Sequence, residues 1–197
     1  LKMSLLLSFE DVHVATDATL AILESGADPS EVELFERDAA YFAEQHIGFQ
    51  LQAKLGDAYL LVELDGNDEV ELAARGELIM DAVRATALEI IPLIDKDDER
   101  KAKMIRDNLL IGLMEYTKYE MLDEVVPINK FAELISYTKE LGKKHGINVL
   151  NFGHAGDGNI HTILMHGELT EDEWATRRSA LLDDLYERVS DLGGLPS

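Results

Sequence analysis

The sequence predicts an α+β domain with a ferredoxin-like, mostly antiparallel sheet and helices packed on one face. Short apolar runs alternate with longer segments of helical period, in the approximate order β-α-β-α-β-α-β-α-β-α-β-β-α. The first half has the order strand, helix, strand and then strand, helix, strand, which is close to the ferredoxin-like unit. Packing one helical layer on such a sheet is a stable way to bury both elements around one core.

Composition narrows the classes of function. With 46% hydrophobic and 29% charged residues, the 197-residue chain has ordinary globular values and is long enough to bury a core. A net charge of −21 argues against nucleic acid as a partner, because like charges repel. The absence of cysteine excludes disulfides and thiolate chemistry within this chain and fits a cytoplasmic location. No apolar run approaches the length of a membrane span, and no signal peptide is visible.

The first half contains four predicted strands, at residues 3–9, 31–35, 58–64 and 89–93. Its helices are predicted at residues 11–25, 37–44 and 68–86. Asp11 and Asp68 precede two of these helices and are suited to cap them, because a carboxylate accepts hydrogen bonds from the first free backbone N–H groups. Gly26 is typical of a residue that ends a helix.

The second half begins with a charged run at residues 95–101 that leads into one helix ending near Met114. This run is typical of a solvated helix start. An extended segment at residues 116–126 follows, and Asn129 is predicted to cap a helix that reaches about residue 144. A strand then leads from residue 147 into a glycine-rich segment, and the last helix is predicted at residues 171–192.

The glycine-rich segment, residues 151–161 with the sequence NFGHAGDGNIH, carries the chemistry. Its local pattern predicts strand, tight turn, strand, with Gly156 and Gly158 free to adopt positive φ. Such a turn brings His154 and His161 together, and neutral imidazole is the commonest metal ligand. The segment does not match a nucleotide-binding loop. The alternative is a glycine-rich hairpin with two incidental histidines.

Residues 153–161, GHAGDGNIH, resemble the G-H-x-G-D-G-N-x-H signature of the FAD-linked oxidases of the glycolate oxidase and D-lactate dehydrogenase type. In that family the signature lies in the C-terminal substrate, or cap, domain. Three weaker similarities extend along the chain. Residues 33–37 resemble an E-L-x-D-R segment, with Glu36 in place of the aspartate, residues 59–66 resemble an L-L-V-E-x-D-G strand, and residues 123–127 are similar to a D-x-x-V-P strand.

The resemblance implies the substrate-binding domain of a flavin-dependent dehydrogenase that oxidises glycolate, D-lactate or a related D-2-hydroxy acid to the 2-oxo acid. It implies that residues 1–197 are a fragment, with FAD bound mainly by a missing N-terminal domain. His154 and His161 are expected to be catalytic and to bind a divalent metal such as Zn, Mn or Fe. Asn159 is expected on the cofactor side, where it shapes the turn or orients the ligands.

Two basic residues are candidates for binding the substrate carboxylate. Arg106 lies in a segment similar to the R-x-N helix segment of the family, and arginine is suited to bidentate carboxylate recognition. A surface helix arginine is the alternative for this residue. Lys118 is close in sequence, although its spacing does not match the basic position of the family.

The resemblance also has a gap and leaves alternatives open. In the family a G-E-H-G element with a carboxylate ligand follows shortly after the position of Gly193 and Gly194, so we expect an incomplete metal site and no activity from this fragment alone. The implied partners are the hydroxy acid, the FAD domain and an iron–sulfur or electron-transfer flavoprotein subunit. A partner subunit would allow association with a membrane. A homodimer is left open. A non-catalytic ferredoxin-like binding module is the main alternative function. A metal hydrolase built on His154, His161 and Asp157 is a third.

Overall fold

The computed structural model describes residues 1–196, so that Ser197, the last residue of the predicted domain, lies outside it. The strands are β1 (Lys2–Phe9), β2 (Glu31–Glu36), β3 (Ala58–Asp65), β4 (Glu89–Pro92), β5 (Tyr119–Val125), β6 (Asn148–His154), β7 (Asn159–Met165) and β8 (Leu195–Pro196). The helices are α1 (Val12–Glu24), α2 (Arg37–Ile47), α3 (Glu69–Val83), α4 (Lys96–Asp107), α5 (Leu109–Tyr116), α6 (Phe131–His145) and α7 (Glu171–Asp191). None of the described helices is long and apolar enough to cross a membrane.

The strands form one antiparallel sheet in the order β4-β1-β3-β2-β6-β7-β5-β8. The first four strands have the ferredoxin-like order that the sequence predicts. The second four, with α6 and α7, repeat the same β-α-β-β-α-β arrangement. The domain is therefore two ferredoxin-like units joined edge to edge through β2 and β6. The sequence contains no internal repeat, so this duplication is visible only in the topology.

Helices cover both faces of the sheet, which corrects the expectation of one helical face. Four helices, α1, α3, α6 and α7, pack against one face in the larger core. The other three, α2, α4 and α5, pack against the opposite face in a second core. Strand β1 shows why: Leu5 and Leu7 belong to the first core and Leu6 to the second, because successive side chains point to opposite faces. The α+β class with an antiparallel sheet is confirmed.

Several local predictions are confirmed and two are wrong. The carboxylates of Asp11 and Asp68 accept backbone hydrogen bonds at the starts of α1 and α3, as predicted. Asn129 does not cap a helix, because it lies in a short 3-10 turn and α6 begins only at Phe131. The single helix expected over residues 95–114 is divided at Asn108, whose side-chain amide donates to the Met104 carbonyl.

A buried polar network joins the two ferredoxin-like units. Glu36 on β2 accepts hydrogen bonds from both the backbone N–H and the side-chain amide of Asn151 on β6, at 2.7 and 3.2 Å. Its second oxygen forms an ion pair with Lys139 of α6. Buried polar groups are costly unless they are satisfied, so this network strongly favours one pairing of β2 with β6.

One part of the sheet is less well covered. The smaller helical layer lies over the first unit and the junction, where α2 contacts β2 and β6. Strand β5 lies beyond it, and Met121 and Val125 on this strand are 43% and 41% exposed. The histidines of the glycine-rich segment lie at the border between the covered and the open part of this face.

Candidate functional site

The β6–β7 hairpin forms as the sequence predicts, with a more specific turn. Strand β6 ends at His154, a 3-10 turn spans Ala155–Asp157, and β7 begins at Asn159. Gly158 has φ 70°, and a Cβ there would lie 2.5 Å from the Val126 carbonyl oxygen. Both observations require glycine at this position. Gly156 does not have positive φ, contrary to expectation, because it lies within the 3-10 turn.

The hairpin brings His154 and His161 together on the face that carries the smaller helical layer. The ring centroids are 5.8 Å apart and the rings are nearly perpendicular, at 76°. Strand pairing accounts for this placement, because His161 lies directly opposite Phe152, two residues before His154 on β6. The ring of Phe152 lies 5.6 Å from that of His161.

Glu33 orients His154 from the neighbouring unit. The two residues are paired across the β2–β6 junction, and Nδ1 of His154 lies 2.5 Å from Oε1 of Glu33. Since a carboxylate can only accept, Nδ1 carries the proton and Nε2 presents the lone pair. Arg106 holds the other Glu33 oxygen, with Nε at 3.1 Å and Nη2 at 3.0 Å. The Glu33 side chain is 4% exposed, so Arg106 compensates a buried charge.

Asp123 on β5 occupies the equivalent position beside His161. The two residues are paired across β5 and β7, and Nδ1 of His161 lies 3.3 Å from Oδ1 of Asp123. Burial lowers the pKa of His161 despite this carboxylate. His161 is therefore neutral at physiological pH, which is the form that accepts a proton or binds a metal.

The structure brings together most of the residues that the sequence selected. Arg106 lies beside the histidine pair, with Nη2 at 3.4 Å from Nδ1 of His154. Asn159 precedes His161 by two residues on the same face of β7, and its Oδ1 is buried without a hydrogen-bond partner in the described part of the chain. Lys118 lies before the far end of β5 and forms an ion pair with Glu171 at 2.5 Å. Its position gives no support to a role in substrate binding.

Sequence reasoning assigned no role to Glu33 and Asp123. Both lie in segments that resemble the family, at residues 33–37 and 123–127, and both are acidic residues within otherwise partly apolar strands. For Glu33, an acidic residue inside a buried strand is a usable signal, because buried charges need a partner. Asp123 is only partly buried and gives no such signal. The partners themselves are distant in sequence, and only the fold identifies them.

The described residues do not support the metal expectation, although two of the possible donors lie close together. His154 hydrogen-bonds to Glu33, and His161 lies 3.3 Å from Asp123, an arrangement similar to metal ligands with supporting carboxylates. Within residues 1–196, however, no group of three His, Asp or Glu side chains is placed to hold a metal ion. The described chain therefore supplies two nitrogen donors and no third ligand.

The comparisons with known proteins agree on one family. A model of the family "FAD linked oxidases, C-terminal domain" matches residues 2–197. D-lactate dehydrogenase of Anaerostipes hadrus is 30% identical over 99% of this chain, which covers 42% of that protein. D-lactate dehydrogenase of Archaeoglobus fulgidus is 30% identical over 78% of the chain and 33% of that protein. Glycolate oxidase subunit GlcD of Bacillus subtilis is 24% identical over 98% of the chain and 41% of that protein.

Solved structures share the fold at low sequence identity. A crystal structure of p-cresol methylhydroxylase with substrate bound matches with a TM-score of 0.69 at 12% identity, over 98% of this chain and 44% of that one. Alkyldihydroxyacetonephosphate synthase matches with a TM-score of 0.51 at 12% identity, over 100% of this chain and 40% of that one. The chain thus spans about two fifths of the length of most of these proteins.

Proposed function

The chain belongs to the C-terminal domain family of the FAD-linked oxidases, and on that premise we propose that it is the substrate-binding domain of a flavin-dependent dehydrogenase that oxidises a D-2-hydroxy acid to the 2-oxo acid. The observation that carries this proposal is the pair His154 and His161, each with a carboxylate beside its Nδ1 and both on one partly open face. The names of the two D-lactate dehydrogenases and of the glycolate oxidase subunit support D-lactate or glycolate as the substrate.

FAD, when bound, supplies the acceptor for the hydride that leaves Cα of the substrate. The domain must then remove the hydroxyl proton as the carbonyl forms. His154 is suited to this role, because the Glu33 carboxylate holds the proton on Nδ1 and leaves Nε2 basic. The same carboxylate stabilises the imidazolium that results, as in other carboxylate-held histidines.

The remaining residues bind and orient the substrate. Arg106 has five N–H donors, of which Glu33 and Asp107 use part, and its cationic group is suited to hold the substrate carboxylate. His161 is neutral and would contact the hydroxyl or the carboxylate. Oδ1 of Asn159 is buried and has no hydrogen-bond partner within residues 1–196, and it would accept a hydrogen bond from a ring N–H of the cofactor. No step requires Lys118.

A divalent metal fits this site only in part. His154 and His161 would hold it through Nε2, while Glu33 and Asp123 lie beside the opposite nitrogen of each ring. Such a metal would polarise the substrate hydroxyl. A catalytic site usually takes three protein ligands, so this arrangement needs one from outside residues 1–196.

The test uses the full-length protein that contains this domain. We expect a flavin band near ~450 nm that bleaches when D-lactate or glycolate is added without oxygen, as hydride transfer to the cofactor requires. His154→Ala and His161→Ala should abolish the bleaching while the flavin stays bound. His13→Ala is the matched control, because His13 is an exposed histidine on α1, on the opposite face of the sheet.

The main alternative is a non-catalytic binding module that assembles with another subunit. A colourless full-length protein, or a flavin that responds to no 2-hydroxy acid in either the wild type or the histidine variants, would contradict the enzyme proposal and favour this alternative. An iron–sulfur or electron-transfer flavoprotein partner remains a prediction from the resemblance, a cytoplasmic location remains a prediction from composition, and a homodimer remains open.

A further inference from the structure

We propose that Lys103 is a positioning residue, which neutralises the buried carboxylate of Glu63 and so keeps Arg106 at the histidine site. This inference rests on the proposed function and deepens it, because it names what holds the substrate-binding arginine in place. Both Lys103 and Glu63 lie outside the histidine signature.

Two buried carboxylates lie close together on the face of the sheet that α4 covers. The side chain of Glu33 on β2 is 4% exposed, and that of Glu63 on β3 is 5% exposed. Glu63 lies directly opposite Glu31, and Glu33 is two positions farther along β2, so that the two carboxylates belong to diagonal neighbours. Such neighbours lie about 7–8 Å apart. Each carboxylate needs a cation, because an unpaired buried charge is costly.

Helix α4 supplies a cation to each carboxylate. Nζ of Lys103 lies 2.7 Å from Oε1 of Glu63, and Nη2 of Arg106 lies 3.0 Å from Oε2 of Glu33. Residues three apart are neighbours on a helix surface, so that both cations reach the sheet from one face of α4. The division of the two cations between the two carboxylates follows from this spacing.

A second carboxylate fixes Lys103 in this position. Nζ of Lys103 also lies 2.8 Å from Oε1 of Glu99, one turn earlier on α4. The same Glu99 oxygen accepts a hydrogen bond from the hydroxyl of Ser4 on β1, at 3.3 Å. Lys103 is therefore held between the sheet and its own helix, and it is preorganised to balance Glu63.

The space between the two ion pairs is open, so that Arg106 has room to change partner. Glu33, Glu63, Lys103 and Arg106 line one open cavity of about 250 Å³. Lys2 also contacts Glu63, at 3.2 Å, but its side chain is 57% exposed and solvent screens this pair. Without Lys103, two buried carboxylates would compete for one arginine, and the Arg106 guanidinium would turn toward Glu63.

The consequence for the site follows from the position of Arg106. Its Nη2 lies 3.4 Å from Nδ1 of His154, beside the place proposed for the substrate carboxylate. If Arg106 turned toward Glu63, the substrate carboxylate would lose a charge-assisted hydrogen bond, which is among the stronger kinds. His154 would keep its hydrogen bond to Glu33. Lys103 therefore acts on substrate binding through Arg106, and not on the proton transfer.

The experiment measures KM and kcat of the full-length protein for D-lactate or glycolate, and Kd for the matching 2-oxo acid, pyruvate or glyoxylate. Lys103→Met should raise KM and Kd by about tenfold, the value of one hydrogen bond to a charged group. A loss of binding alone should change kcat by less than about twofold. Lys101→Met is the matched control, because Lys101 lies on the same helix and pairs with Asp97 of that helix, at 2.6 Å.

Two double variants test whether the effect passes through Arg106. Adding Glu63→Gln to Lys103→Met removes the unpaired charge, so that KM and Kd should return to within about twofold of the wild-type values. In an Arg106→Met background, Lys103→Met should raise KM no further, because the residue through which it acts is absent. Lys103→Gln still donates a hydrogen bond to Glu63 and should give an intermediate KM. It replaces Lys103→Met in these comparisons if that variant does not fold.

The outcomes separate this inference from the function on which it rests. If neither acid reduces the flavin of the wild type, the proposed function is wrong, and the inference fails with it. If the wild type is active but the Lys103 variants keep its KM and Kd, the inference alone is overturned, and a lower melting temperature would then show a purely structural role. A rise in KM that Glu63→Gln does not reverse, or that persists in the Arg106→Met background, would overturn it as well.

Discussion

Replacing Glu124 with glutamine should remove a loss of stability that the wild type shows as the pH rises. Glu124 lies on β5 and points into the larger core, where it is 0% exposed. Neither of its side-chain oxygens has a hydrogen-bond partner in the described chain. The hydroxyl of Thr162 lies near enough to favour the charged form slightly, but it forms no hydrogen bond of normal geometry with Glu124 and donates to Asn151 instead.

The magnitude follows from the pKa of Glu124, which burial raises from 4.5 to about 8, with a further contribution from Asp123. Between these two values the folded state holds a proton that the unfolded state has lost. Stability therefore falls as the pH rises, by about 1.4 kcal/mol per pH unit. The loss amounts to about 3 kcal/mol between pH 5.5 and 7.5, and it levels off above pH 8. Glutamine does not titrate, so Glu124→Gln should remove this dependence.

The assay is urea unfolding followed by circular dichroism at pH 5.5, 6.5 and 7.5, for the wild type and the variant. The difference in free energy of unfolding should grow by about 3 kcal/mol across this range, in favour of the variant. Glu187→Gln is the matched control, because Glu187 is exposed on α7. Equal pH dependence in wild type and Glu124→Gln would refute the assignment of a buried, protonated carboxyl group at this position.

Three further predictions concern the site and its support. Glu33→Gln should lower kcat of the full-length protein by about 10- to 100-fold, because the His154 tautomer loses its charged partner. Flavin content and melting temperature should stay close to those of the wild type. An unchanged kcat would show that Glu33 has a structural role alone. Gly158→Ala should destabilise the domain by about 1–3 kcal/mol in urea unfolding, because its φ of 70° and the nearby carbonyl oxygen both exclude a Cβ; a neutral result would contradict this turn geometry. Lys139→Met should lower the free energy of unfolding by about 3 kcal/mol, because it leaves Glu36 buried without its cation. The double variant that also carries Glu36→Gln should recover part of that loss in the same urea assay.

The local elements of this protein are largely predictable from the sequence, because their signals act over a few residues. The Asp11 and Asp68 caps, the end of α1 just before Gly26 and the hairpin that carries His154 and His161 are all present as expected. The failed prediction of a helix cap at Asn129 also has a local cause. Asn129 has a favourable residue type for a cap, yet Pro127 leads into a 3-10 turn that delays α6.

The sequence predicts the two histidines of the site but not the carboxylates that lie beside them. Two histidines in one glycine-rich segment are visible at once, because only six residues separate them. Glu33 lies 121 positions from His154, and Asp123 lies on a strand whose register no local pattern specifies. Lys118 shows the converse, since it is near Arg106 in sequence but beyond the far end of β5 from the site.

The amino-acid sequence by itself determined the class of fold, the order of its elements and the turn that pairs the histidines, since propensity, periodicity and turn chemistry all act over short distances. The tertiary structure alone decided that two ferredoxin-like units share one sheet, that β2 pairs with β6, and that Glu33 therefore meets His154. The physical reason is that strand pairing depends on the packing of both faces and on buried polar partners such as Glu36 and Asn151, which come together only when the whole sheet forms.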